Sequence, residues 1–493
     1  MADRRIPAQP TGAAATARPY AFDPFAPGVS DDPYPHFAKL RATNPVYEHP
    51  AGFWIVTRHA DVVDLLRAAH SVEDDNVTKS RIHALSMMDQ DPPDHTRLRR
   101  LLTKVFTERA INGLAPLITR LVDEALDRVE RAAAEHGQAD LVTELAYPLP
   151  LLVICDMLGM EADYHWLRTR AEVLAHSLEP VAEPTPELIE AIVTAETELV
   201  DRVAAVIEAK RRAPAPAEPD LLTQLIRAED GGDVLSDEEL IAQVVLLYLA
   251  GYATTMNLLA NGVVALLRHP EQLRLLRERP DLDGNAADEL LRYDTSVQYS
   301  RRITLAPHEA GGTVLPAGAT VLAGLASANR DEEVFGPTAA ELRLDRPNAR
   351  KHVSFGGGPH HCLGAALARL ETRIAVGRLV RRFDRLALAD DIVWQRLMIT
   401  RGPVAVPVTG ARRGRGAAPA WRAGAPPRAA RRRSVPGTRC RTRWPARSRS
   451  PATPRAAGSC PRRWRRGTRR RCRPRRGAAP GPPWRSVRGS ARR

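Results

Sequence analysis

His352-Val353-Ser354-Phe355-Gly356-Gly357-Gly358-Pro359-His360-His361-Cys362-Leu363-Gly364 decides the reading of this chain. The glycine-rich loop runs directly into Ala365-Ala366-Leu367-Ala368-Arg369-Leu370-Glu371, the start of a helical apolar pattern that continues to Arg382. Cys362 therefore stands near a helix N-terminus, where unpaired backbone N–H groups and the helix dipole favour a thiolate. Glycines let such a loop approach a flat ligand closely and turn N–H groups toward the sulfur. Ordering so much glycine is entropically expensive, which points to a bound group. Cys155, inside Leu151-Leu152-Val153-Ile154-Cys155-Asp156, reads instead as a small core residue. A zinc site on His360, His361 and Cys362 lacks a fourth ligand, and three adjacent residues do not easily reach one tetrahedral ion. A dinucleotide loop would need a preceding strand and a different glycine spacing.

Outward from this loop the pattern is mainly helical. Apolar residues recur at i, i+3, i+4 and i+7 over 115–135, 186–211, 237–268 and 364–382. Short strands are predicted at 46–57, around Pro50-Ala51-Gly52, and at 303–325, around Gly311-Gly312 and Pro316-Ala317-Gly318. The expected class is mainly α with small β-sheets. Ser236 and Glu239 form a capping box at the start of the longest helix, and His269-Pro270 marks its end. About 32 residues at ~1.5 Å give a helix of roughly 48 Å, long enough to cross the domain. Its centre, Ala250-Gly251-Tyr252-Ala253-Thr254-Thr255, contains poor helix formers that cost about 0.5–1 kcal/mol each. Close packing explains an isolated Gly251. The adjacent threonines add a second reading, in which Thr254 bonds back to the Ala250 carbonyl and opens the helix ladder.

Phe355, Gly356, Gly358, His360, Cys362 and Gly364 match every fixed position of F-G-x-G-x-H-x-C-x-G, so the chain resembles the cytochrome P-450 family. The resemblance implies the P-450 fold, a single large haem-binding domain over 21–410, and heme b (iron protoporphyrin IX) with Cys362 as the metal ligand. It also implies cofactor contacts from Phe355, Gly356, His360 and Gly364. His95 and Arg99 match H-x-x-x-R, and Arg302 takes the place of a further propionate-binding arginine. Glu289 and Arg292 match the E-x-x-R structural pair. Ala250, Gly251 and Thr254 match the family's catalytic A-G-x-[D/E]-T, but Ala253 stands where the acid belongs, leaving water, Tyr252 or the substrate to complete a proton relay. The implied reaction is insertion of one atom of O2 into a small organic substrate in natural-product tailoring. Electrons would come from NAD(P)H through a ferredoxin and ferredoxin reductase, docking at a basic patch of Arg97, Arg100, Lys104, Arg369 and Arg373. Residues 76–89 are expected to arch over the pocket, with Val297 and Met398 lining it. The missing acid leaves an alternative: a haem-thiolate enzyme of peroxide-driven, coupling or isomerising chemistry.

Composition divides the chain sharply. Residues 411–493 hold 28 Arg and no Lys, Asp or Glu, leaving 44 of the 72 basic residues to face all 58 acidic ones in the first 410. The overall charge of +14 thus conceals an acidic body. Runs such as Arg462-Arg463-Trp464-Arg465-Arg466 would bind nucleic acid non-specifically. The abrupt loss of Lys, Asp and Glu instead resembles out-of-frame translation of GC-rich DNA, a reading that gives the tail no function. Both 1–20 and 411–493 are expected to be disordered. No uncharged apolar run reaches membrane-spanning length and no signal peptide is evident, so a cytoplasmic location without membrane attachment is expected.

Overall fold

The longest helix follows its caps. In the computed structural model, which describes residues 20–73, 84–161, 163–176, 185–214 and 219–412, it runs Asp237–Arg268. Ser236 Oγ accepts the Glu239 N–H at 3.1 Å while Glu239 Oε2 accepts the Ser236 N–H at 2.9 Å. Asp237, Glu238 and Glu239 place negative charge in the first turn, where the helix dipole favours it. Pro270 stops this helix and opens the next, a position where its missing N–H costs nothing.

The helices of eight or more described residues are α1 (Tyr34–Thr43), α2 (His59–Arg67), α3 (Asp94–Val105), α4 (Ala115–His136), α5 (Pro148–Leu158), α6 (Tyr164–Ala175), α7 (Pro186–Arg212), α8 (Asp237–Arg268), α9 (Pro270–Glu278), α10 (Asp283–Tyr293) and α11 (Ala365–Arg382). The strands are β1 (Val46–Glu48), β2 (Trp54–Val56), β3 (Ala139–Asp140), β4 (Glu229–Asp230), β5 (Asp233–Val234), β6 (Tyr299–Ile303), β7 (His308–Ala310), β8 (Thr313–Leu315), β9 (Thr320–Gly324), β10 (Phe383–Leu388) and β11 (Pro407–Arg412). Mainly α with small sheets is the observed class.

The largest sheet has the order β1-β2-β9-β6. Antiparallel pairing of β6 with β9 begins at Tyr299↔Gly324, so the second β region starts four residues before the expected Ile303. Arg302 sits opposite Val321 in that ladder, and its side chain turns inward. The sheet β10-β11-β3 extends β11 to Arg412, two residues past the boundary at 410 expected from composition. Residues 1–19, 413–493 and most of the expected arch over the pocket lie outside the described residues.

Most of α8 is buried in a core shared with α3 to α7 and α11. By length and composition α8 could cross a membrane; in this fold it is the central core helix. At Gly262 a Cβ would meet Leu290 Cδ1 at 3.1 Å, so the missing side chain lets α10 approach closely. Helical structure is continuous through Ala250–Thr255. Thr254 Oγ1 donates to the Ala250 carbonyl at 2.7 Å as expected, but the ladder does not open. Cys155 is a buried free thiol, its pKa pushed up to about 12 by burial.

One core residue is anomalous. Glu371 on α11 is buried, its Oε2 has no hydrogen-bond partner, and burial pushes its pKa up from the ordinary 4.5 to about 8. Between those values the unfolded state ionises while the folded state keeps its proton. Stability therefore falls as pH rises from about 4.5 to about 8, by at most about 1.4 kcal/mol per pH unit. Glu371→Gln should abolish that slope. Urea unfolding is expected to show little difference between variant and parent near pH 4.5 and a variant more stable near pH 8; parallel pH profiles would refute this.

Candidate active site

The cysteine loop is shaped by where its glycines lie. Gly356 and Gly358 have φ of +67° and +64°, a region L side chains avoid. A Cβ on Gly358 would also run into the carbonyl oxygen of Leu66 on α2. The turn is closed by the Cys362 N–H, which donates to the Phe355 carbonyl at 2.9 Å, and by the Gly356 N–H to the Val353 carbonyl at 2.8 Å. Burial pushes the Cys362 thiol up, while the Gly364 N–H, Arg99 and Arg369 pull it toward the thiolate. Yet Cys362 retains exposed surface. A group desolvated by surrounding protein but still open on one side faces an internal cleft, where a bound ligand would complete its burial.

Four side chains from three elements converge on that cleft. His95 and Arg99 lie four residues apart on α3, Arg302 comes from β6, and His360 from the loop itself. The His95 and His360 rings lie 4.0 Å apart between centroids. His95 is 2% exposed and both its ring nitrogens lack partners. Arg302 is 4% exposed and, among the described residues, donates only to Ser300 Oγ at 3.0 Å and the Arg301 carbonyl at 2.7 Å. Burial lowers its pKa to about 10, with only Asp91 opposing. Arg99 has no carboxylate partner among the described residues; burial lowers its pKa and Cys362 raises it. Burial lowers His360 to about 4, leaving a neutral imidazole. Two guanidiniums without counter-ions and an orphaned imidazole are costly in a folded protein. They fit a ligand carrying two carboxylates, which is what the propionates of heme b would present.

The central helix is partly open at its middle. Ala250 is exposed and Gly251, Ala253 and Thr254 partly so, amid residues that are otherwise mostly buried. A Cβ on Gly251 would meet nothing within 4 Å, so the helix borders open space there. Ala253 and Leu363, the neighbour of the cysteine, border the same apolar cluster. Tyr252 is removed from the expected relay. Two residues along a helix turn about 200°, and its ring packs 5.0 Å from that of Tyr147 with the hydroxyl against Met256 Sδ at 3.6 Å.

The site is braced by a buried polar network. Glu289 and Arg292 are fully buried and doubly hydrogen-bonded, at 2.7 and 2.8 Å. Arg346 joins them, its Nε 3.1 Å from both Glu289 oxygens. Arg292 also donates to the carbonyls of Asn329, Ala339 and Glu341, tying α10 to the chain that leads into the cysteine loop. Arg346 had no sequence signal, because its partner lies far beyond any local spacing. Gln243 had one, a lone amide in an apolar run. Its Nε2 donates to the Leu85 carbonyl at 2.7 Å and its Oε1 accepts the Met87 N–H at 3.0 Å, fastening α8 to the segment that enters α3.

Other expectations are corrected. The basic patch is largely neutralised: Arg97 pairs with Glu239, Arg100 with Asp230 and Asp233, Lys104 with Asp230 at 2.6 Å, and Arg369 with Asp288 at 2.6 Å. Met398 packs with Phe37 and Tyr299 and lines a separate small cavity beside Arg401. Val297 needs no such correction; it is partly buried against the β-sheet cluster and bridges Thr400.

A family model described as Cytochrome P450 matches residues 53–279 and 285–397. Vitamin D(3) 25-hydroxylase of Pseudonocardia autotrophica is 38% identical over 409 residues, covering 78% of this chain and 96% of that protein. Cytochrome P450 monooxygenase PikC of Streptomyces venezuelae is 37% identical over 419 residues, 81% of this chain and 96% of that one. The crystal structure of CalO2 superposes with a TM-score of 0.72 at 32% identity, covering 79% of this chain and 99% of that one.

Glu289→Gln removes the carboxylate that faces two buried guanidiniums. It should cost about 3–5 kcal/mol in urea unfolding or prevent accumulation of folded protein. A loss below about 1 kcal/mol would show that the network is not what braces the loop.

Proposed function

The chain belongs to the cytochrome P450 family, and on that premise we propose that Cys362 is the thiolate that would hold its haem and Thr254 a hydroxyl that would handle protons in the same cleft. As a P450 monooxygenase the chain is an oxidoreductase with iron protoporphyrin IX as cofactor. Haem supplies the activation of O2, and in this family the cysteine thiolate increases the electron density that drives O–O cleavage. The observation that carries the reading is the convergence on one cleft of Cys362 with two unpaired guanidiniums and two imidazoles.

The geometry supports the following residue roles. Gly364 turns its N–H toward the sulfur and favours the thiolate, against the burial that pushes the thiol up. Phe355 and Gly356 set the loop, and Arg99, Arg302, His95 and His360 would hold the propionates. Gly251 leaves the wall open for substrate or water. Thr254 Oγ–H is engaged with the Ala250 carbonyl, so its oxygen accepts a hydrogen bond from the cleft until a proton arrives. Ala253 provides no acid and Tyr252 faces away, which assigns proton supply to water or to a hydroxyl on the substrate.

The overall reaction takes an organic substrate, O2, two electrons and two protons to a hydroxylated product and water. We assign the electrons to NAD(P)H through a ferredoxin and its reductase, the substrate to the small natural-product class, and the location to the cytoplasm. Residues 21 to about 412 form the haem domain in this reading. A peroxide-driven, coupling or isomerising enzyme rests on Ala253 alone, and the hydroxylase and monooxygenase among the relatives do not favour it.

The reduced protein under carbon monoxide should show the strongly red-shifted Soret band of a thiolate-ligated haem, lost in Cys362→Ala. A band indifferent to that change would remove Cys362 from the iron. Thr254→Ala should divert reducing equivalents into hydrogen peroxide, lowering product per NAD(P)H on the order of a hundredfold. Ala253→Glu should reduce any peroxide leak of the parent, and an unchanged leak would count against a missing relay.

A further inference from the structure

We propose that Asp288 is a positioning residue for the cysteine loop, fixing the loop's entry and the positive charge that stands behind Cys362. Asp288 lies on α10 beside Glu289, is wholly buried, and takes no part in the Glu289 network. Its Oδ1 accepts Arg369 Nε at 2.6 Å and lies 3.3 Å from His352 Nε2, while its Oδ2 accepts Arg350 Nε at 3.0 Å. Burial alone would raise this carboxyl, but the hydrogen bonds from His352 and Arg369 prevail and hold it down to about 2.

Both partners lead to the cysteine. His352 opens the loop, and its Nδ1 accepts the Ser354 N–H at 3.2 Å. Ser354 Oγ donates to the Leu291 carbonyl on α10 at 2.8 Å, and the Val353 N–H donates to Asn329 Oδ1 at 2.7 Å. Arg369, on the helix that follows the cysteine, lays its guanidinium 4.6 Å from the centre of the Phe355 ring. Phe355 in turn supplies the carbonyl that accepts the Cys362 N–H. The carboxylate therefore grips the loop before and after the sulfur. It also decides where the Arg369 charge stands, and that charge favours the Cys362 thiolate. In a half-buried site such a charge acts through a lower effective dielectric than in water.

The inference rests on Cys362 as the haem ligand for its electrostatic half, but not for its mechanical half. Asp288→Asn removes the carboxylate charge and leaves Arg369 uncompensated behind the sulfur. The reduction potential of the holoenzyme should move to more positive values, because added positive charge favours the reduced iron. Arg369→Gln should move it to more negative values, and the double variant should lie between the two. Hydrogen exchange on the full chain without haem should accelerate at the Gly356 and Cys362 amides at least tenfold in Asp288→Asn, with Asp288→Glu closer to the parent. Unchanged exchange, or a potential that stays put or moves negative in Asp288→Asn, would overturn the proposal. If Asp288→Asn does not fold, Arg369→Gln decides alone, since an unshifted potential and loop exchange there exclude the grip through α11. Failure of the ligand assignment is separate. It would appear as a carbon monoxide band that survives Cys362→Ala, with the exchange result unaffected.

Discussion

Two consecutive carboxylates on α10 hold four guanidiniums, and the cysteine loop hangs from them. Glu289 faces Arg292 and Arg346; Asp288 faces Arg350 and Arg369. Pairs buried on both sides, as Glu289 is with Arg292 and Arg346, contribute little net stability, because desolvation offsets most of the attraction. Their effect is geometric. Each guanidinium offers several donors in a rigid plane, so a single carboxylate fixes backbone carbonyls drawn from distant stretches. A hydrophobic replacement of equal volume could match the energy but not the directions.

The cleft has the opposite character. Where Glu289 and Asp288 on α10 meet cations with anions, Arg99 and Arg302 have no carboxylate partner among the described residues, inside a body whose overall charge is acidic. Local imbalance of this sign suits a ligand that carries two negative charges. The central helix adds the complementary constraint. Its packing is tight against α10 at Gly262 and open at Gly251, so one helix acts as both core and wall.

What could be read in the sequence was local. The cysteine loop, the capping box and the three-residue spacing of Glu289 and Arg292 each fit within one turn or loop, where physical chemistry restricts residue choice. Helix limits followed to within a residue or two for the same reason. Arg346 and Asp288 were not legible, since their partners are assembled by tertiary folding. The basic patch failed on the same ground: Arg97, Arg100 and Lys104 look free along α3, but β4, β5 and the start of α8 bring acids to meet them. Tyr252 was misjudged for a simpler reason, because a helix carries residues two apart to opposite sides.

The fit of Gly358 against the Leu66 carbonyl bears on the order of assembly. The loop that carries the cysteine is seated on α2, a helix from the other end of the described chain. Contacts so distant in sequence form late, after the entropy of closing the intervening loops has been lost. A nascent chain therefore has no finished cradle until its first and last thirds have met. The cradle around the cysteine thus depends on a contact of high sequence separation, one that costs loop-closure entropy to make.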